Sequence, residues 1–100
     1  MTKYTIYLGL NDKDAKTQLI RTADAYSIIS GMFEAATITR AIGIYTHEDG
    51  TKIQEKTLKI EYLDFNGDFD LQKTSKELKR IFNQESVAVR VERDIESYLM

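Results

Sequence analysis

Three short stretches of the chain carry the side chains best suited to chemistry. His47 precedes Glu48 and Asp49, and an imidazole beside carboxylates is the arrangement of a general base. No serine or cysteine nucleophile adjoins it, so an exposed turn histidine is the competing reading. Glu61, in a later alternating segment, is a second candidate base. Asp64-x-Asn66-Gly67-Asp68-x-Asp70 has the outline of a calcium loop, but such a loop places glycine sixth and a bidentate glutamate twelfth. Counted from Asp64, glycine is fourth and Ser75 is twelfth. A turn that runs into a helix cap accounts for the same residues. Asp12-x-Asp14 is sparser still. Lys13, Lys16 and Arg21 follow Gly9 and lead into a helix start, a placement that would hold an anion; the same charges would equally solvate a surface loop.

Other chemistry is excluded by composition. The chain has no cysteine and one histidine, which removes disulfides, thiolate nucleophiles, thiolate metal sites and any multi-histidine site within one chain. Its glycines are scattered, with neither dinucleotide-binding nor P-loop spacing. The residues therefore imply no metal, no cofactor and no assigned catalytic residue.

The elements that must position these groups are legible from periodicity. Tyr4, Ile6, Leu8 and Leu10 alternate with Thr5, Tyr7 and Gly9, which predicts a strand. Asn11 to Arg21 reads as a long surface connection. Thr22 as cap, Asp24 in the first turn and Ala25, Ile28, Ile29, Met32 and Phe33 on one stripe predict a helix ending near Ala35 or Ala36. A second strand covers Thr37 to His47, with Ile38, Ile42 and Ile44 on one face. Asp49-Gly50 predicts a hairpin turn. The third strand runs from Lys52 to Leu63, with Leu58, Ile60 and Tyr62 in phase. Ile53 is out of phase with them, so either a bulge near Gln54 to Lys56 or an exposed Ile53 is expected. Asp70 is set to cap a second helix with Leu71, Thr74, Leu78, Ile81 and Phe82 on its stripe and Asn83 as its stop. Ser86 to Arg93 predicts the last strand, and Asp94 to Met100 fits either a helical turn or a pairing arm.

The order β-α-β-β-α-β, with right-handed crossovers, predicts a ferredoxin-like α/β plait of the α+β class: a four-stranded antiparallel sheet with both helices on one face. The uncovered face would show Tyr7, Gly9, Ala41, Gly43, Tyr45, Thr57, Lys59 and Ala88. With 100 residues, 42% hydrophobic, 30% charged and a formal net charge of -2, residues 1–100 read as a single soluble domain. No run approaches the ~20 apolar residues of a spanning helix, and no signal peptide is apparent, so a cytoplasmic setting is expected and a membrane partner is not. An acidic pI near 5.4 argues against nucleic acid. Tyr7 and Tyr45 are the only aromatics for an RRM-like surface, and the RNP1 pattern is missing.

The run from Tyr4 to Asp12, the segment Gly43 to Gly50, and Glu55 to Glu61 resemble short uncharacterised proteins of phages and mobile elements of low-GC Gram-positive bacteria. That resemblance implies a small acidic accessory protein that binds and blocks a host factor, in the manner of anti-CRISPR proteins. The leading expectation is accordingly a non-catalytic interaction module. It would use its sheet face or projecting hairpin (Tyr7, Tyr45, His47, Glu48, Asp49 and Ile53) against a protein partner or a second copy, as a homodimer, since apolar surface seldom stays open to water. A second reading is a small-ligand or nucleotide sensor similar in topology to PII signalling proteins, with Lys13, Lys16 and Arg21 at an anion site. A third is a dimeric plait enzyme using His47 as its base.

Overall fold

The computed structural model describes residues 1–46 and 48–100; the base weighed at His47 lies outside the described residues. Six elements follow in the expected order: β1 (Thr2–Gly9), α1 (Thr22–Ser30), β2 (Thr37–Thr46), β3 (Lys52–Asp64), α2 (Leu71–Ile81) and β4 (Ala88–Glu92). The strands form one antiparallel sheet in the order β2-β3-β1-β4, the order of the α/β plait.

Alternation along the two central strands decides what is buried. Ile6 and Leu8 of β1 stand in register with Ile60 and Leu58 of β3, and all four are at most 1% exposed. Ala25 and Ile29 of α1, with Leu78 of α2 and the adjoining Phe82, close over them in the same cluster. Both helices therefore lie on one face. Each large aliphatic so buried contributes roughly 1.5–3 kcal/mol.

Local signals explain the helix ends, one as expected and one not. Asp70 caps α2, its Oδ1 accepting the Lys73 N–H at 3.0 Å, while Lys79 and Arg80 sit in the last turn where the helix dipole favours cations. Thr22, by contrast, does not cap α1. Arg21 occupies the cap position without a side-chain capping bond to the helix backbone, and the Thr22 hydroxyl accepts from the Gln18 amide at 3.2 Å. The helix ends at Ser30, short of Ala35, because glycine at position 31 disfavours another helical turn. Met32 and Phe33 still pack against the core from the loop beyond.

Strands β2 and β3 form a ribbon whose register runs unbroken from Thr37↔Glu61 to Thr46↔Lys52. There is no bulge. Ile53 lies opposite Tyr45 on the face away from the helices and is half-buried, so its phase marks that other face and no defect in the ladder. The chain reverses through Asp49 and Gly50, where glycine adopts φ +85° and Asp49 Oδ1 accepts the Thr51 N–H at 2.9 Å. The ribbon projects past the helices, and Ile42 and Ile44, placed on the covered side by their phase, are 69% and 64% exposed. Principal extents of 46 × 26 × 23 Å record that projection. Strand β4 is shorter than the expected Ser86 to Arg93, which leaves Ser86 and Val87 in a connection. The segment after Glu92 forms no regular element; the Ile95 N–H donates to the Met1 carbonyl at 3.3 Å.

Candidate active site

A concavity of about 660 Å³ opens where three segments meet. The ribbon contributes Tyr45, Ile53 and Glu55 from its open face. The connection after β1 contributes Asn11 to Asp14 and Lys16, and the connection after α2 contributes Gln84, Glu85 and Ser86. That volume lies within the ~300–1,000 Å³ of small-molecule sites.

Glu55 stands on the ribbon wall of this basin. It lies across from Gly43 in the ribbon, and its carboxylate reaches over β1 to accept the Asn11 N–H at 3.0 Å. The space it occupies exists because residue 9 has no side chain: a Cβ there would stand 2.6 Å from Glu55 Cδ and 2.8 Å from Oε2. Gly9 thus serves a close approach between strand backbone and carboxylate.

The loop after β1 is tightly folded. Asp12 Oδ1 accepts the N–H groups of Asp14 and Ala15, both at 2.9 Å, and Oδ2 accepts the Asn83 amide at 3.0 Å. The Ala15 N–H, then the Asn83 amide and the Asp14 N–H, hold the Asp12 carboxyl below the usual carboxylate range. Gln84 Nε2 donates to the Asn11 carbonyl at 2.6 Å. The connection that reads as a long surface loop is thus fastened to the chain after α2.

The structure therefore brings Lys13, Lys16, Tyr45 and Ile53 around one basin. It leaves Arg21 outside, paired with Asp24 at 3.2 Å at the start of α1. Glu48 and Asp49 lie in the turn beyond the ribbon, both exposed. Tyr7 sits on the same sheet face, opposite Lys59 and Ala88 and 36% exposed, but does not line the basin. The rest of that face is more charged than apolar, with Glu61 paired to Lys59 at 3.1 Å and to Lys3 at 3.6 Å, and Arg90 to Glu92 at 3.1 Å. Asp64 uses both oxygens on its own loop, accepting Gly67 N–H at 2.9 Å and Phe69 N–H at 3.2 Å. Among the described residues no group of three His, Cys, Asp or Glu side chains is placed to hold a metal ion, and no helix is long and apolar enough to cross a membrane.

Nothing in their residue types marks Glu55, Asn11 and Gln84. The signal in the sequence is the phase of Ile53: with Ile53 and Glu55 on the open face, that carboxylate stands beside Gly43 of β2 and near Gly9 of β1.

No protein-family model and no curated protein matches the chain. Two solved structures are similar to it. A phage SAM lyase in complex with S-methyl-5'-thioadenosine shares 27% identity and a TM-score of 0.64, over 91% of this chain and 79% of that one. A phage SAM lyase in its apo state shares 27% identity and a TM-score of 0.65, over 91% and 78%. The resemblance to phage proteins holds at that level. The expectation of a non-catalytic module that blocks a host factor is overturned, because the likeness is to an enzyme along nine-tenths of the chain; the sensor of PII-like topology falls with it. The residue signatures of nucleophile and base do not reveal such a site: the basin is lined by four carboxylates, two lysines and a tyrosine, types common on any surface.

Proposed function

We propose that this protein is a lyase that cleaves S-adenosylmethionine and releases S-methyl-5'-thioadenosine from the basin between the ribbon and the two connections. The observation that carries the reading is the likeness to the phage SAM lyase structures, one of them holding that thionucleoside. The basin's charge supports it independently. Asp12, Asp14, Glu55 and Glu85 set four carboxylates against the two ammonium groups of Lys13 and Lys16. The substrate carries a sulfonium and an ammonium against one carboxylate, so an acidic basin attracts it. The thionucleoside product is neutral and loses that attraction.

Release of the product breaks the bond between sulfur and the γ-carbon of the amino-acid chain. The bonding pair stays on sulfur, which becomes a neutral thioether. The substrate's own carboxylate oxygen closes on the γ-carbon, so the second product is a five-membered lactone that keeps the ammonium charge. No water and no proton from carbon take part. The protein's share is then to hold the amino-acid chain curled for attack and to desolvate the reacting ends. In this reading Glu55 holds the ammonium, and the Tyr45 ring faces the sulfonium methyl, a cation–π contact of about 0.5–2 kcal/mol.

The test incubates the purified chain with S-adenosylmethionine and follows the thionucleoside by liquid chromatography and mass spectrometry. Release well above the buffer rate, reduced at least about tenfold in kcat/KM by Glu55→Gln, is the expected result. Release at the buffer rate by a chain with a normal circular dichroism spectrum would overturn the reading.

A further inference from the structure

We infer that Asn83 is a positioning residue for the basin, the link by which the end of α2 fixes the loop that presents Lys13 and Lys16. This rests on the basin being the ligand site proposed above. Asn83 follows α2 and adopts φ +48°, a left-handed conformation that asparagine tolerates better than most residues. That backbone turn aims its amide at the loop after β1. Nδ2 donates to Asp12 Oδ2 at 3.0 Å and to Asp14 Oδ2 at 2.8 Å, so both amide hydrogens serve two neighbouring carboxylates. The Asn83 carbonyl accepts the Lys13 N–H at 3.0 Å. One residue thereby binds three successive loop positions, with Lys13 in the middle.

The charges explain why this link matters more than a neutral turn contact would. Asp12 and Asp14 repel one another, and the shared amide offsets that repulsion where their oxygens converge. Without it the two carboxylates separate, the loop between them opens, and Lys13 and Lys16 lose their place at the basin rim. Asn83 itself does not line the basin, so its loss acts on ligand affinity through the loop.

Asn83→Gly keeps the left-handed backbone available and removes the amide. The expected result is a KM for S-adenosylmethionine and a Kd for S-methyl-5'-thioadenosine, by calorimetry, each raised at least about fivefold, with kcat within about twofold of wild type. A purely structural residue would lower the active fraction, and hence apparent kcat, with KM unchanged. Asn83→Asp keeps the left-handed backbone and the side-chain shape but replaces the donating amide with an acceptor facing Asp12 and Asp14, and should give the same split. Should the glycine variant misfold, Asn83→Asp alone decides. Wild-type KM and Kd in the folded variants, against a wild-type chain that binds the thionucleoside, would overturn the inference. A wild-type chain that neither binds nor cleaves would instead overturn the function on which it rests.

Discussion

Substituting Gly9 by alanine isolates the placement of the Glu55 carboxylate from its chemistry. The added methyl would stand 2.6 Å from Glu55 Cδ and 2.8 Å from Oε2, and these atoms are the far end of a flexible side chain, so they give way before the sheet does. The carboxylate must leave the Asn11 N–H that it meets at 3.0 Å. A hydrogen bond to a charged group contributes about 1.5–3 kcal/mol, and position 9 closes a strand in which alanine is tolerated better than glycine. Global stability should therefore fall by about 0.5–2.5 kcal/mol, the lost bond being offset in part by the alanine. A displaced carboxylate no longer meets the ammonium. At 1.36 kcal/mol for each factor of ten, losing about 1.5–3 kcal/mol of that contact lowers kcat/KM by roughly 10- to 100-fold. The assay is thionucleoside release under subsaturating substrate, with a thermal melt on the same sample. Wild-type kcat/KM with an unchanged melting temperature would refute the claim that the glycine gap sets the carboxylate. A fall in activity matched by unfolding would refute the claim that the effect is local.

Two further substitutions test what holds the scaffold. Asp64→Ala deletes a side chain that is 4% exposed and accepts the N–H groups of Gly67 and Phe69; a cost of about 1–3 kcal/mol in urea unfolding is expected, with the thionucleoside affinity unchanged because the loop lies away from the basin. Glu61→Gln addresses acid stability. The Lys59 ammonium, and then Lys3, hold the Glu61 carboxyl below its ordinary value of 4.5, so its contribution is present above about that pH and fades as pH falls through the lower folded value. The variant should therefore show a shallower loss of stability below about pH 4.5 in a pH series of thermal melts, and parallel wild-type and variant curves there would count against the pairing.

How much of this molecule could be read beforehand follows the reach of the interactions. Ile6 and Leu8 alternate within one strand, Asp70 caps a helix beginning at the next residue, and Asp49-Gly50 turns a chain between adjacent strands; each of these depends on neighbours a few positions away, and each is found where periodicity places it. The early end of α1 is not legible in the periodicity, because Met32 and Phe33 keep helical spacing while packing from a loop. The basin lay beyond this kind of reading. Asn11 meets Glu55 across 44 positions, Asn83 meets Asp12 across 71, and Gln84 meets Asn11 across 73. No local pattern announces contacts of that range.

The chemistry was hidden for a second reason, which lies in the reaction proposed. A sulfonium already carries a neutral thioether as its leaving group, and an internal carboxylate supplies the nucleophile. Such a step needs no thiolate, no imidazole and no metal from the protein; it needs a conformation held and charges arranged around it. A chain with no cysteine and one histidine is excluded from thiolate and multi-histidine chemistry, yet not from this reaction. What such a site requires is a gap for one carboxylate, at Gly9, and a fastened loop, at Asn83. Both are demands on backbone geometry, and they leave their mark on a glycine and an asparagine instead of on the residue types that usually advertise catalysis.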